Sequence, residues 1–353
     1  MFTFHLTLPA PPTIRNRSSD QMPPQSLPTR LFCSLYSRMP EHAMHLWALG
    51  LLLLLSAPFL RTNSASLSSG LDSFYDLSCT SKYDAPNPIA NEYPNSATGV
   101  LNGTLAIIPV DMERVKMALP AGVNILEDLL RADMPNFPEG MFPVLLQAAH
   151  DHDVQFAAYN IGIPDFSRIG LEFPYLDARG DGTPFKWAPR QLISGHNEMA
   201  VKGSRDYGTI VFESLFEPRF EAYSQDRSGA ITMSAVSNDN GTRHLMETVF
   251  RRQPEVEIGA EGNDGGMPFG LDAIKSITSQ ITFASLDGAC DRFTRLWNTS
   301  IDSTPVAIRG KVVIEGGVSP LDDSAGRMSF SNIWGVQVAT AFTEDNYLDC
   351  ATV

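Results

Sequence analysis

The sequence lacks the short motifs that mark several large enzyme classes. It contains no G-x-S-x-G turn, no G-x-x-x-x-G-K-[ST] phosphate loop, no H-E-x-x-H pair and no G-x-G-x-x-G turn. These motifs position a serine nucleophile, a nucleotide phosphate, a zinc ion and a dinucleotide, respectively. Their absence disfavours the usual serine hydrolases, nucleotide-dependent enzymes and zinc proteases.

Basic residues are also scarce. The 353 residues include 26 lysines and arginines against 40 aspartates and glutamates, which gives a net charge of −14. Because a polyanionic protein repels phosphate backbones, nucleic acid is not an expected partner. The hydrophobic share of 43% is ordinary and is sufficient for a substantial core.

Long apolar runs are absent except near the N-terminus. His45 to Leu60 reads HLWALGLLLLLSAPFL, sixteen residues, whereas a membrane-spanning helix needs about 20. The run is typical of a secretory signal, with cleavage near Ala65 or Ser66 and with Met44 as a possible true start. We therefore expect a secreted or secretory-pathway protein. An uncleaved signal anchor that tethers the chain to a membrane is the alternative.

Two further patterns agree with secretion. Asn-x-Ser/Thr triplets after the apolar run make Asn102, Asn240 and Asn298 candidate glycosylation sites. The chain has four cysteines, of which Cys79 and Cys290 and Cys350 follow the apolar run. In an oxidising compartment one pair of these three could form a disulfide and leave one thiol, and the sequence does not choose the pair.

Composition divides the chain into three parts. Residues 1–66 combine an N-terminal extension with the signal or anchor, and residues 67–98 are an irregular lead-in rich in Ser, Asn and Pro. Residues 99–353 carry regular patterns and are predicted to form a single domain.

A short helix is predicted after the first strand of that domain. Leu105 to Val110 is an apolar run suited to a strand, and the Asp111 carboxylate can accept the unpaired N–H groups of a following helix. Apolar positions from Met112 to Leu119 recur at helical spacing, and Pro120 ends the helix.

The rest of the domain is predicted to be mostly strands. A second helix is predicted over Asp287–Asn298, where apolar positions share one face. Many strands and no βαβ rhythm favour a mainly β (α+β) fold, either a closed barrel or a sandwich, with a few short flanking helices. The further predicted strands are Phe142–Ala149, Val154–Gly162, Gly208–Phe216, Ala230–Val236, Ile274–Phe283, Val306–Ile314 and Ile333–Phe342.

Three segments resemble the acetoacetate decarboxylase-like superfamily. IIPVDMERVKMALPAGV at 107–123 is similar to its opening strand and helix, and VLLQAAHD at 144–151 is similar to the strand that follows. NEMAVKGSRDYGTIVF at 197–212 resembles its central segment, with Gly203 and Gly208 in register and Tyr207 at an aromatic position. The resemblance implies a closed, cone-shaped antiparallel β-barrel around a mostly apolar pocket.

The resemblance also implies how such a pocket works. In acetoacetate decarboxylase a lysine amine forms a Schiff base with a β-keto acid, and burial beside another cation keeps that amine neutral. In this register Val211 and Phe212 stand at the positions of the lysine pair. Ser204 and Arg205 replace the arginine and the glutamate of the motif. We therefore expect a diverged member without the Schiff-base lysine.

Two other parts of the register also depart from the superfamily. Pro109 stands where an arginine is expected in the first strand. Leu145 and Ile161 stand where the pocket acids are expected. Lys202, Glu198 and Arg205 are then the candidate catalytic residues, with Lys202 as a displaced lysine if its side chain points inward.

The same register nominates ligand-binding residues. His150, Tyr159, Tyr207, Val211 and Phe212 are the candidates for a ligand pocket. In the HDHD stretch at 150–153, the side chains of alternate residues of a strand point to one side, so His150 and His152 are weak candidate metal ligands. No metal and no other cofactor is predicted.

Three functions remain open. The preferred one is a pocket that binds a small hydrophobic or keto-acid-like molecule and transforms it by acid–base chemistry, as a lyase or isomerase related to carboxy-lyases. The second is a non-catalytic binding barrel, which requires an inward face that is almost wholly apolar. The third is a β-keto acid decarboxylase that uses Lys202. The ligand's identity and the oligomeric state are not predicted.

Overall fold

The computed structural model describes residues 84–237, 243–256, 258, 266–298, 304–321 and 326–353. The N-terminal extension, the apolar run and Cys79 lie outside these residues. Among the helices that the structure describes, none has both the length and the apolar character needed to cross a membrane.

The described residues are mainly β, with fifteen strands in one mixed sheet. Most strands are shorter than ten residues, whereas β1, β3, β5 and β15 are longer and form the frame of the fold. The strands are β1 Ala97–Asp111, β2 Asn124–Ile125, β3 Met141–Phe156, β4 Ile161–Ile163, β5 Phe166–Asp177, β6 Pro184–Trp187, β7 Arg190–Ser194, β8 Ile210–Glu217, β9 Ser224–Gln225, β10 Ala230–Ser237, β11 His244–Arg252, β12 Ile281–Phe283, β13 Cys290–Leu296, β14 Val306–Ile314 and β15 Met328–Leu348.

Four helices and one 3-10 turn, Ala157–Tyr159, accompany these strands in the described ranges. The helices are α1 Met112–Ala118, α2 Glu127–Asp133, α3 Glu198–Asp206 and α4 Leu271–Ser279. The predicted cap of α1 is confirmed, because Asp111 Oδ1 accepts a hydrogen bond from the Arg114 backbone N–H at 3.0 Å. The helix ends at Leu119, directly before Pro120, as predicted.

The strands form a ring. Pairing leads from β15 through β1, β3, β5, β7, β8, β10, β11 and β14 back to β15. A second path joins β5 to β15 through β6, β12 and β13. The central strands therefore have neighbours on both sides.

The ring is not wholly antiparallel, which corrects the sequence prediction. β7 pairs with β8 in parallel, and β6 pairs with β12 in parallel. The first pairing follows from α3, because a helix between two strands returns the chain to its starting end, so that the second strand runs in the same direction as the first.

In two segments the structure has the opposite type of secondary structure from the one predicted. Asp287–Asn298 was predicted to be a helix but contains β13, because its backbone pairs with β15 and buries Cys290, Phe293 and Arg295. Ile274–Phe283 was predicted to be a strand but overlaps α4, which buries residues at helical spacing. In both segments tertiary contacts outweigh the local pattern.

A disulfide joins Cys290, the first residue of β13, to Cys350, just after β15, with an S–S distance of 2.09 Å. Of the three cysteines that the sequence left open, these two form the pair. The bridge holds the residues that follow β15 beside the first residue of β13.

Candidate functional site

The ring and α3 enclose a cavity of about 270 Å³. It is lined by apolar side chains such as Leu171, Phe283 and Phe342, and by an unusual number of charged ones. The cations at its wall include Arg168, Lys186 and Arg295, and the acids are Asp151, Glu172, Asp291 and Glu344. The apolar lining that the resemblance implies is present, and charged side chains lie within it.

Lys186 is the most deeply buried cation of this wall. It lies in β6, a short strand held between β5 and β12, and is only 1% exposed. Its Nζ lies 2.6 Å from Glu172 Oε2 on β5. Burial lowers the pKa of Lys186 and the charge of Arg295 lowers it further, although Glu172 opposes both effects.

Glu172 remains ionised beside this amine. Burial alone would raise the pKa of Glu172, but the charges of Lys186 and Arg295 outweigh burial and lower it. The pair thus consists of a carboxylate that stays ionised and an amine that releases its proton more readily than an exposed lysine does.

Arg168 and Asp151 form a second ion pair in the cavity wall. Arg168 Nε lies 2.6 Å from Asp151 Oδ2, and the Asp151 side chain is fully buried. Burial raises the pKa of Asp151, whereas the charge of Arg168 works in the opposite direction. The Arg168 guanidinium carbon is 4.9 Å from the centre of the Phe293 ring, which provides a cation–π contact.

Arg295, on β13, is another buried cation of the cavity wall. It donates to the Thr278 carbonyl at 3.3 Å and to the Gln147 side chain, and its guanidinium carbon is 4.8 Å from the Phe293 ring centre. Burial lowers the pKa of Arg295 to about 10, so the group stays charged at neutral pH. Its buried Nε has no hydrogen-bond partner among the described residues.

Asp291 and Glu344 complete the charged wall. Asp291 is on β13 and Glu344 on β15, and their carboxyl groups hydrogen-bond to each other. Burial and the nearby charge of Glu344 raise the pKa of Asp291, and burial raises that of Glu344. Two carboxyl groups in contact favour retention of a proton at neutral pH.

The three candidate catalytic residues from the sequence lie on α3 but outside this cavity. Lys202 is exposed, and its ion pair with Asp206 raises its pKa, contrary to what a nucleophilic amine needs. Arg205 is exposed and lies 2.8 Å from Glu213, and Glu198 is exposed in the first turn. The expected inward position of Lys202 is not found, and the catalytic roles predicted for these residues stay predictions.

Of the five candidate ligand-binding residues, only Tyr207 borders the cavity. Tyr159 is 64% exposed on the 3-10 turn. Val211 and Phe212 lie on β8 and do not line the cavity. His150 is buried in β3, and its Nδ1 is 3.0 Å from Ser167 Oγ.

The two weak candidate metal ligands are neighbours on β3. His150 and His152 point to one side of β3, with ring centres 6.4 Å apart. In the described part of the chain, no group of three His, Cys, Asp or Glu side chains is arranged to hold a metal ion.

Asn102 is half-buried and its amide donates to Asp84 Oδ1, whereas Asn298 is exposed. Asn240 lies outside the described residues, and glycosylation stays a prediction.

The sequence does carry a signal for the residues that were missed. Lys186 stands between two aromatic residues in PFKW, Glu172 interrupts the apolar IGLEFPYL, and Arg295 interrupts FTRLW. A charged residue inside an apolar strand is either at an exposed edge or paired in the interior. The strand alone does not distinguish these cases, because the partner comes from elsewhere in the chain.

Fold and site together define a mainly β protein with a ring of strands around a charged cavity that contains a buried lysine. No protein-family model matches the chain, and no curated protein sequence matches it. Its fold is similar to that of acetoacetate decarboxylase-like enzymes of known structure, at low sequence identity.

Three of these structures illustrate the similarity. Acetoacetate decarboxylase from Legionella pneumophila is 11% identical over 82% of this chain and 96% of its own, with a TM-score of 0.45. An acetoacetate decarboxylase-like enzyme from Sphingomonas wittichii is 11% identical over 72% and 94%, with a TM-score of 0.40. The enduracididine biosynthesis enzyme MppR, solved with the condensation product of pyruvate and imidazole 4-carboxaldehyde, is 10% identical over 77% and 98%, with a TM-score of 0.43.

Proposed function

We propose that this protein binds a small keto-acid-like molecule in its cavity and forms a Schiff base with it through Lys186. The observation that carries the proposal is a lysine amine that is 1% exposed and borders a cavity. Such a lysine is rare, because burial of an ammonium group is costly unless the group has a function or a close partner.

The surroundings of the amine suit the first chemical step. A neutral amine nitrogen attacks the carbonyl carbon, and the carbonyl oxygen leaves as water while the C=N bond forms. Burial and Arg295 both favour the neutral amine, and Glu172 at 2.6 Å can accept the proton that the amine releases. Lys186 and Glu172 thus supply a nucleophile and its base.

The charges of the wall indicate the ligand class. The Arg295 Nε–H is buried and lacks a partner among the described residues, so a ligand carboxylate is the natural acceptor. A cavity of about 270 Å³ accommodates a small molecule rather than a large cofactor. A small molecule that carries both a carbonyl and a carboxylate satisfies Lys186 and Arg295 together.

This proposal favours an enzyme over the non-catalytic binding barrel. A passive binding site for a hydrophobic ligand was expected to have an almost wholly apolar inward face, whereas eight charged side chains line this one: Asp151, Arg168, Glu172, Lys186, Arg190, Asp291, Arg295 and Glu344. The reaction class that we propose remains a lyase or isomerase activity on a keto acid. We infer that the ring of strands closes as a cone-shaped barrel around it.

Entry into the secretory pathway is part of the same proposal. The apolar run at His45–Leu60 supports a secretory signal, and the Cys290–Cys350 disulfide supports an oxidising compartment. Mass spectrometry of the mature protein from a eukaryotic host reports the N-terminus and any glycan. A mature chain that still contains the apolar run would support a membrane tether instead.

Borohydride trapping tests the Schiff base. The purified protein is incubated with acetoacetate or pyruvate, reduced with borohydride, and examined by intact-mass spectrometry and peptide mapping. We expect one adduct, on Lys186, that is abolished in Lys186→Met and retained in the matched surface variant Lys202→Met. An adduct on Lys202 would instead support the sequence-based hypothesis, and no adduct with either probe would exclude Schiff-base chemistry on them.

A further inference from the structure

The carboxyl pair of Asp291 and Glu344 has no role in the steps above, although it borders the same cavity as Lys186. The strands explain its position. Asp291, Phe293 and Arg295 alternate along β13, and all three line the cavity. On β15, Glu344 lies opposite Phe293. The two acids are thus presented to the cavity by neighbouring strands.

An irregularity in the pairing of β13 with β15 lies beside the two carboxyl groups. Between Cys290 and Arg292 the register of β13 against β15 shifts by one residue, so Asp291 stands opposite two residues of β15, Asn346 and Tyr347. The extra residue belongs to β15, and such a bulge bends the strand that contains it. Asp291 hydrogen-bonds to Glu344, and Asp291 Oδ1 is buried without a hydrogen-bond partner among the described residues.

The charges around the cavity indicate how many protons the pair holds. Asp151 is paired with Arg168, and Glu172 with Lys186. Arg190 also borders the cavity, but its guanidinium donates to backbone carbonyls outside it.

Arg295 is then the cation left for the carboxyl pair. Before a ligand carboxylate binds to Arg295, the buried wall has no net charge if the pair carries a single negative charge, and therefore one proton shared by two carboxyl groups. This agrees with their mutual hydrogen bond, which requires a donor.

We propose that Asp291 and Glu344 form the proton-transfer group of the cavity, which removes a proton from, and returns one to, the carbon next to the Schiff base. With one proton, the pair contains a base and an acid at once. The inference rests on the proposed function, since a C–H bond next to a carbonyl becomes acidic enough only after the carbonyl is converted into a protonated imine.

The proton transfer balances without any further reagent. The carboxylate of the pair takes a proton from the carbon beside the imine, the C–H electrons form a C=C bond, and the C=N electrons move onto nitrogen to give an enamine. Return of a proton from the pair to the same carbon restores the imine. Water then hydrolyses the imine and releases the ketone and the Lys186 amine.

Hydrogen–deuterium exchange of pyruvate tests this role separately from the Schiff base. In D₂O the methyl protons of pyruvate are replaced by deuterium if the enamine forms, and NMR follows the loss of their signal. We expect exchange by the native protein and a loss of about 10²-fold or more in Asp291→Asn and in Glu344→Gln. The borohydride adduct on Lys186 should persist in both variants. Asp345→Asn, an exposed acid next to Glu344, is the matched control and should exchange at the native rate.

The outcomes separate the two proposals. An unchanged exchange rate in Asp291→Asn and Glu344→Gln, with the adduct still present, would overturn the role of the pair and leave the Schiff base intact. Exchange that depends on the pair but produces no adduct would overturn the Schiff base and, with it, the role of the pair beside an imine. Absence of both exchange and adduct in the native protein would overturn both.

A measurement on the native protein covers the case in which these variants do not fold. Infrared spectroscopy at neutral pH detects the C=O stretch of a protonated carboxylic acid, which is distinct from the bands of carboxylates. We expect such a band in the native protein and its downshift on transfer to D₂O. A spectrum with carboxylate bands alone would overturn the shared proton and with it the proposed role.

Discussion

Lys186 Nζ lies 2.6 Å from Glu172 Oε2, although the two residues stand on different strands and are both almost fully buried. Glu172 therefore has opposite effects on the amine. It stabilises the charged form by its own negative charge, and it can accept the proton once the amine reacts. The pH at which Lys186 becomes a nucleophile is determined by this contact together with burial and Arg295.

Replacement of Glu172 by glutamine should shift adduct formation to lower pH. The charge of Glu172 raises the pKa of Lys186, so its removal lowers that pKa and leaves more neutral amine at a given pH. The measurement is the rate of borohydride trapping with acetoacetate as a function of pH. Glu213→Gln, which alters an acid paired with Arg205 far from the amine, is the control. A profile that moves to higher pH in Glu172→Gln would contradict the pairing.

The same ion pair should show strong non-additivity in stability. Lys186→Met alone leaves Glu172 buried without its cation and should cost about 3–5 kcal/mol of unfolding free energy. Combining Lys186→Met with Glu172→Leu removes both charges and should recover most of that loss. Urea unfolding of the native protein, both single variants and the double variant gives the coupling energy. Single-variant costs that simply add would show that the two charges do not interact.

His150 should make the fold sensitive to acid. Burial, with the charge of His152, lowers the pKa of His150 from an ordinary 6.5 to about 4. As pH falls from 6.5 to 4, the unfolded chain binds a proton that the folded protein excludes. Stability is therefore lost as pH falls, by about 3 kcal/mol from this group.

A non-titrating variant isolates this effect. His150→Asn keeps a polar group towards Ser167 but cannot gain a proton, while His152, Asp84 and His196 remain in both proteins. The difference in unfolding free energy between the native protein and the variant should shift in favour of the variant between pH 7 and pH 4. A constant difference would show that His150 titrates equally in the folded and unfolded states.

The disulfide should contribute substantially to stability and to the site. Its closure constrains a segment with a sequence separation of 60, which corresponds to about 4 kcal/mol in the chain-entropy model. A Cys290→Ser, Cys350→Ser double variant should therefore unfold at lower urea concentration. Because Cys290 directly precedes Asp291, we also expect slower pyruvate exchange in folded protein. Unchanged unfolding would argue against formation of the bridge in solution.

Local features of the sequence predicted much of the fold. The Asp111 cap, the helix that ends before Pro120 and the predominance of strands all follow from neighbouring residues, and the structure contains them. The elements that were missed depend on distant partners. β13 is a strand because β15 is beside it, and α3 joins two parallel strands that no pattern within either one indicates.

The site was harder to predict than the fold for the same reason. A lone lysine in PFKW has no visible partner, since Glu172 belongs to another strand and Arg295 to a much later one. Lys202 was favoured because acidic and basic residues surround it in sequence. On a helix these neighbours face solvent, and Lys202 pairs with Asp206 one turn away. Closeness in sequence indicated the surface cluster, whereas the cavity was assembled from separate strands.

The position of β15 has a consequence for biosynthesis. This last strand pairs with β1, β13 and β14, closes the ring and supplies Glu344. During translation β1 therefore gains this partner only after the residues of β15 have been synthesised, and closure over such a sequence distance is slow. Until then its edge is open to pairing with other chains. A nascent chain stopped before β15 has neither a closed ring nor a complete cavity, so quality control can recognise it by its unpaired edges.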